Sequence, residues 1–274
     1  MLVNKIKNNW VSEILDVDCA NLTSSEEKQI YEIFAKQKVV IFKDQSLNNM
    51  QLKKFCSIFG QVWDNSKEKY SGLQQSVVSG HEDNFVETVS ENGLLSSGLI
   101  PWHVDLTHFP SQLLPNRILY AVELEGDTAS TQFIDTVQGL NLINSSIKEF
   151  LKYATALCKA PYNTPWDCYV RRPAIQWHPI HNDYGLVADE LFTQWIEGLD
   201  KDVDYKQWIK KNVINEMISN ETTYAHNWNV GDLVVYDNWS TIHTRDAFIG
   251  KRKLKRVTWD QNWFNERITN DNIS

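Results

Sequence analysis

The sequence lacks the features that would tie it to a membrane, to nucleic acid or to an oxidising compartment. No stretch approaches the roughly 18 consecutive apolar residues of a membrane-spanning helix, and the opening MLVNKIKNNWVSEI carries no apolar secretory core. Basic residues are outnumbered, 27 against 35 acidic ones, for a net charge of −8, so no overall field draws the chain to phosphate backbones or anionic lipid. Only four cysteines occur, Cys19, Cys56, Cys158 and Cys168, far apart and without a CxxC pair. They read as reduced thiols of a cytoplasmic protein rather than as a disulfide framework. The glycine-rich phosphate loop, the GxSxG elbow and the HExxH helix are all missing, which removes the simplest routes to nucleotide binding, serine hydrolysis and zincin chemistry. A small-molecule substrate fits these exclusions best, with no nucleic acid and no membrane as partner.

What is present describes a globular enzyme-sized unit. The 274 residues carry no repeat and no low-complexity linker, so residues 1–274 read as a single domain able to bury a large core. Thr23-Ser24-Ser25-Glu26-Glu27 offers overlapping capping boxes, and Ile30, Ile33 and Phe34 follow at helical spacing, predicting a helix that ends near Lys36. Val39-Val40-Ile41-Phe42 reads as a buried strand, and a second helix is expected from about Asn49 to Phe59 with Gly60 as its stop. From residue 70 onward short β-like runs alternate with Gly, Pro, Asn and Asp: Ser76–Ser79, Pro101–Leu106, Arg117–Leu124, Thr131–Asp135, Thr155–Lys159, Leu233–Tyr236 and Lys253–Trp259. Helical inserts are expected near 137–151 and 189–217. The pattern predicts a mainly β chain with helical decoration, as a sandwich or jelly-roll barrel, with the N-terminal helices of about 24–60 packed on that core.

Three segments carry chemistry. In Pro101-Trp102-His103-Val104-Asp105 a strand would send His103 and Asp105 to the same face. An imidazole and a carboxylate so placed, joined by a second histidine, leave one face of an octahedron open, the pattern of non-haem Fe(II) oxygenases. An HxD alone is a weak signal. Gly231-Asp232-Leu233-Val234-Val235-Tyr236-Asp237-Asn238 reads as turn, buried strand, turn and an exposed polar approach to His243. Lys251-Arg252-Lys253-Leu254-Lys255-Arg256-Val257-Thr258 could be a solvated basic patch. As a strand it instead puts Arg252, Leu254 and Arg256 on one face. Arginines aimed inward need anions, and a dicarboxylate would supply one.

In order along the chain these residues resemble the taurine and 2,4-dichlorophenoxyacetate dioxygenases, the TauD/TfdA family. The matching stretches are Val39–Phe42 with Asp44-Gln45 and Phe59-Gly60, Trp102–Thr107, Ile118–Glu123 with Gly126-Asp127-Thr128, Gly231–Val234 through His243, and Arg252 with Arg256. The resemblance implies a double-stranded β-helix (jelly-roll, cupin-like) core and the cofactors Fe(2+), 2-oxoglutarate and O2. It implies iron on His103, Asp105 and His243, and the distal carboxylate of 2-oxoglutarate on Arg252 with help from the Thr128 hydroxyl. Arg256 would then lie near the cosubstrate or an anionic substrate group. The family's spacing from ligand histidine to first arginine is longer than the nine positions found here, so the register rests on Arg-x-x-x-Arg-Val-Thr; Arg245 falls outside that pattern and reads as structural. An intact Asp105, where related halogenases carry a small residue, implies hydroxylation or desaturation. Glu91–Ile100, just before the HxD, is mostly apolar and small where the taurine enzyme places polar groups, which speaks against taurine itself and puts the family's amino-acid-derived substrates at least on a par with it. Relatives are often dimers or tetramers, which leaves room for a homo-oligomer.

Other histidines are set aside at this level. His108 would face away from His103 on a continuous strand, His178 and His181 form an HxxH beside a turn with structural or surface roles, His226 reads as a core histidine, and His81 stands in a polar loop. Two alternatives stay open: a zinc-type metallohydrolase on the same His-Asp-His set, and a jelly-roll binding protein that has lost turnover.

Overall fold

The computed structural model describes residues 1–7, 10–63, 98–110, 114–160 and 169–260, and the backbone of 78–81, 87–89 and 261. In chain order the first strands are β1 (Leu2–Lys7), β2 (Val11–Leu15), β3 (Val39–Phe42), β4 (Gly60–Val62), β5 (Val78–His81) and β6 (Glu87–Val89). There follow β7 (Ile100–His103), β8 (Asn116–Glu125), β9 (Thr131–Asp135), β10 (Thr155–Cys158), β11 (Val170–Pro173) and β12 (Ile175–His178). The last are β13 (Asp183–Leu186), β14 (Thr193–Ile196), β15 (Thr223–His226), β16 (Leu233–Tyr236), β17 (Thr241–Arg245) and β18 (Lys251–Gln261). The helices are α1 (Ser24–Lys36), α2 (Asn49–Cys56), α3 (Thr136–Gly139), α4 (Ser145–Tyr153), α5 (Tyr205–Ile209) and α6 (Asn215–Met217), the last two joined by a π-helical turn at Lys210–Ile214.

Two sheets face each other across the core of a jelly roll. The major sheet runs β1-β2-β3-β16-β8-β18-β6-β5, with β4 also on β18, and the minor sheet runs β15-β9-β17-β7. Alternation along each strand sorts the side chains. Val39, Ile41, Val234, Tyr236, Leu119, Ala121 and Leu254 point inward, where they meet Phe133 and Trp228 of the minor-sheet side. Val40, Phe42, Leu233, Val235, Ile118, Val257 and Trp259 point outward, under α1 and α2. The minor sheet's outer face, with Ile134 and Ile242, is covered by α3 to α6 and the strands β10 to β14.

The local reasons are legible. The α1 helix begins with the expected box, Thr23 accepting from the Glu26 amide and the Glu26 side chain returning to the Thr23 backbone, and it buries Ile30 and Phe34. Asn48 and Gln51 make a second box for α2. On β18 the alternation survives an irregularity: the register shifts between Lys253 and Leu254 opposite Val122, so Arg252, Leu254 and Arg256 stay on one face.

Several expected boundaries move. The second helix ends at Cys56, and Ser57–Phe59 form a turn before Gly60 opens β4. The insert expected over 189–217 is helical only from Tyr205; Thr193–Ile196 is a strand paired to β10, because Phe192, Thr193 and Ile196 bury alternate or adjacent faces against that small sheet. The residues Asp237–Ser240 before His243 are buried, not an exposed approach, since each finds a hydrogen-bond partner inside the protein. Of Ser76–Ser79, residues 76 and 77 lie outside the described residues, as do residues 91–97 of the stretch before the HxD and Cys168; the side chain of His81 does too.

Candidate metal centre

The strand β7 ends at His103, so Asp105 is not its partner by strand alternation. Val104–Thr107 leave the sheet in a turn, with Leu106 in the left-handed region at φ 61°, a conformation that costs a branched side chain about 1 kcal/mol. Tertiary contacts hold the turn instead. The Asn238 side chain brackets Asp105, its Oδ1 accepting from the Asp105 amide at 2.9 Å and its Nδ2 donating to the Asp105 carbonyl at 2.9 Å. Asp189, fully buried, accepts from the Val104 amide and the Thr107 hydroxyl, both at 3.2 Å. It also accepts from the amides of Phe192 and Thr193. Burial outweighs those four donors and pushes the Asp189 carboxyl up to about 7.

The strand β17 brings the third side chain. His243 stands opposite His103 in the antiparallel register with β7, and both imidazoles face Asp105. Its carboxylate lies 3.7 Å from His103 Nε2 and 3.5 Å from His243 Nε2. One donor atom from each residue falls within 4.8 Å of the other two. His103 Nδ1 lies 2.8 Å from the Pro101 carbonyl, which accepts its proton and leaves the Nε2 lone pair turned toward Asp105. Burial lowers the pKa of both imidazoles, that of His243 to about 3. The carboxylate stays charged: burial opposes this, but Arg117, then His243, His103 and Arg256, hold it well below the usual carboxylate range. Arg117 Nη1 donates to Asp105 Oδ1 at 2.9 Å and the Tyr236 hydroxyl donates to Oδ2 at 2.6 Å. Two neutral imidazoles and one fixed carboxylate suit a first-row divalent metal.

One rung along the same ladder lies a corner lined by buried arginines. On β17 and β9, His243 pairs with Phe133 and Arg245 with Thr131, so Arg245 and Thr131 project to the same side as His243, about 6.7 Å further along. Arg252 reaches into this corner from β18 and donates to the Thr131 hydroxyl at 2.7 Å, with its guanidinium 5.6 Å from the Trp228 ring centre. Trp228 Nε1 donates to the same hydroxyl at 2.9 Å. Burial, and then repulsion from Arg245, push the Arg252 guanidinium down to about 9. Among the described residues no carboxylate pairs with it. The hydroxyl bonded to Arg252 is that of Thr131, while Thr128 lies half-buried in the segment before β9. Arg256 sits where its charge bears on both Asp105 and His243.

The structure also places the residues set aside. Arg245 is buried, donates to the Gly98 carbonyl at 2.8 Å and lies over Phe248. His108 is buried with its ring 4.3 Å from Phe192, which also stands edge-on to His103. His226 is a core histidine between Tyr224 and Asp232. Sequence reasoning missed Arg117, Tyr236, Asn238, Thr131, Trp228 and Asp189. Tyr236 and Asn238 stood in a quoted motif, and Arg117 and Thr131 in expected strands, but nothing local gave a sign that Asn238 would grip a residue 133 positions away.

Comparison with known proteins is consistent along nearly the whole length. The model of a family described as "Taurine catabolism dioxygenase TauD, TfdA family" matches residues 2–258. An alpha-ketoglutarate-dependent 2,4-dichlorophenoxyacetate dioxygenase of Cupriavidus pinatubonensis is 22% identical, covering 94% of this chain and 97% of its own. A tyrosine isonitrile desaturase of Erwinia amylovora is 22% identical, over 82% of this chain and 77% of its own. Among solved structures, a putative alpha-ketoglutarate-dependent taurine dioxygenase from Burkholderia xenovorans superposes with a TM-score of 0.75 at 20% identity, covering 94% of this chain and 92% of that one.

Proposed function

The chain belongs to the TauD/TfdA family of 2-oxoglutarate-dependent dioxygenases, and from that premise we propose that His103, Asp105 and His243 hold its iron and that Arg252 with Thr131 anchors its 2-oxoglutarate. Enzymes of this family use Fe(II), 2-oxoglutarate and O2, which favours this reading over the zinc-hydrolase and silent-binder alternatives. The donor set fits the metal: both imidazoles are buried neutral and the one carboxylate is buried charged. When bound, ferrous iron supplies the O2 chemistry that oxidises an unactivated C–H bond.

The protein's own residues bind and orient. Arg117 and Tyr236 fix both carboxylate oxygens of Asp105, and Asn238 fixes its backbone. Together with Asp189, which holds Val104 and Thr107, that arrangement keeps Asp105 in ligating position. Arg252 waits for an anion in a corner two strand residues from His243, a reach of about 6.7 Å that suits the far carboxylate of a five-carbon dicarboxylate whose other end lies at the metal. Phe133, Phe192 and Tyr236 wall the imidazoles with apolar surface and exclude water from them. The site's single carrying observation is this pairing of a His-Asp-His cluster with a buried arginine that no described carboxylate neutralises.

For the substrate we infer a small carboxylate or amino-acid-derived molecule that is hydroxylated or desaturated. Arg256 supports an anionic group near the metal. The two relatives named above, one acting on an aryloxyacetate and one described as a tyrosine isonitrile desaturase, bracket that class. A succinate-release screen with iron and ascorbate over aryloxy acids, sulfonates and amino-acid isonitriles tests it. Turnover only with sulfonates would overturn the substrate reading, and no 2-oxoglutarate consumption with any of them would overturn the site assignment.

A further inference from the structure

A second His-His-Asp cluster lies outside the site just described, and we propose that His178, His181 and Asp237 form a structural site for a late first-row divalent cation such as zinc. The cluster joins two elements distant in sequence. His178 ends β12, His181 stands in the turn before β13, and Asp237 follows β16 on the loop that leads to His243. Asp237 Oδ2 lies 2.8 Å from His178 Nε2 and 3.8 Å from His181 Nε2, and one ligand atom from each residue falls within 4.8 Å of the others. The imidazole centroids are 4.4 Å apart. In a tetrahedral site with bonds of ~2.0 Å the donor atoms stand roughly 3.3 Å apart, so each of these two separations needs to change by only about 0.5 Å.

The surroundings suit a cation. Asp237 is oriented by the Ser240 hydroxyl, which donates to Oδ2 at 2.7 Å, and by the Trp239 amide, which donates to Oδ1 at 3.0 Å, the supporting contacts a metal-binding carboxylate needs. His178 and Asp237 are buried, while the His181 side chain keeps 13% of its surface exposed, which gives an ion a path in and a water a place as fourth ligand. Burial keeps the His181 imidazole neutral, its pKa pushed down to about 3. Packing holds the two elements in place without metal: a Cβ at Gly185 of β13 would collide with the Trp239 carbonyl oxygen, so only glycine lets the hairpin lie this close to the loop. Binding needs a change of tautomer at His178. His178 now carries its proton on Nε2, toward Asp237, and accepts at Nδ1 from the His181 amide at 3.3 Å. The ion takes Nε2, the proton moves to Nδ1, and that long amide contact is given up. Two neutral nitrogens with one carboxylate then match the borderline preference of zinc and its neighbours.

The site would clip the β12–β13 hairpin to the loop bearing Asn238, the residue that brackets Asp105. The test is a cobalt(II) titration of the chelator-stripped full chain, as wild type and as His181→Ala, followed by visible absorption and metal counting. His181→Ala leaves the His178–Asp237 hydrogen bond in place and so spares the fold; circular dichroism checks this. Two equivalents on the wild type and one on His181→Ala, with loss of the intense tetrahedral cobalt bands and their return in His181→Cys, is the expected result. Equal uptake by wild type and His181→Ala overturns the proposal. Adding 2-oxoglutarate perturbs the spectrum of the other equivalent, which reports on the His103 site separately.

Discussion

Among the described residues two clusters join two imidazoles to one carboxylate, and they are built in opposite ways. At His103, Asp105 and His243 the carboxylate is gripped by Arg117 and Tyr236, the imidazoles keep off it at 3.5 and 3.7 Å, and a buried guanidinium waits one rung away. At His178, His181 and Asp237 the carboxylate already bonds an imidazole at 2.8 Å. The first cluster spends its hydrogen bonds on holding the carboxylate apart from the histidines, leaving three lone pairs converging on one point. The second satisfies itself. That difference fits the roles proposed for them, chemistry at the first and structure at the second.

The sharpest way to break the contrast is Asp105→Ala. Iron-dependent succinate formation should fall by more than ~100-fold, beyond what loss of a supporting contact costs; full retention of turnover would discredit the assignment. Next in size is Arg252→Gln. Losing a charge-assisted anchor worth about 1.5–3 kcal/mol should raise the KM for 2-oxoglutarate roughly 10- to 100-fold, with a smaller change in kcat at saturation. An unchanged KM would move the anion corner elsewhere. Tyr236→Phe keeps the ring and removes only the hydroxyl on Asp105, so iron affinity should weaken about 10-fold, measured by competition with a fluorescent chelator. The same weakening should be absent when the second cluster's Ser240 is changed to alanine.

The smallest effect is common to both clusters. His243 and His181 are each pushed down to about 3, whereas the unfolded chain's histidines titrate near 6.5. Below that value the unfolded state binds more protons than the folded one, so stability rises with pH and is lost on acidification from about 6.5 toward 3. Each buried histidine contributes at most about 1.4 kcal/mol per pH unit. Urea unfolding of the metal-free protein at pH 7 and pH 5 should show the loss, and His181→Ala should reduce its slope. A pH-independent midpoint would mean that the imidazoles are not held neutral.

Much of this was readable in advance, and the failures share one cause. The capping box of α1, the buried run of β3 and the inward face of β18 depend on neighbours within a few residues, so pattern alone revealed them. The set His103, Asp105 and His243 was legible as residue types in order. The reason Asp105 reaches the site was not: it comes from Asn238, Arg117 and Asp189, contacts 12 to 133 positions away. His178 and His181 looked like turn residues because Asp237, 59 positions on, shares no local pattern with them. Thr131 and Thr128 were indistinguishable by type; that Thr131 carries the hydroxyl bonded to Arg252 was visible only in the tertiary structure.

By itself, then, the sequence indicated which residue types could meet a metal and an anion, and several of the core strands, β3, β8, β9 and β16 among them, because side-chain chemistry and two-residue alternation are local properties. The tertiary structure alone decided that the carboxylate is held by an arginine and a tyrosine rather than by its strand, and that a second cluster closes around Asp237. Those outcomes depend on sheet register and loop burial, which place groups from distant segments within hydrogen-bonding reach, where a shift of one residue would turn each of them to the other face.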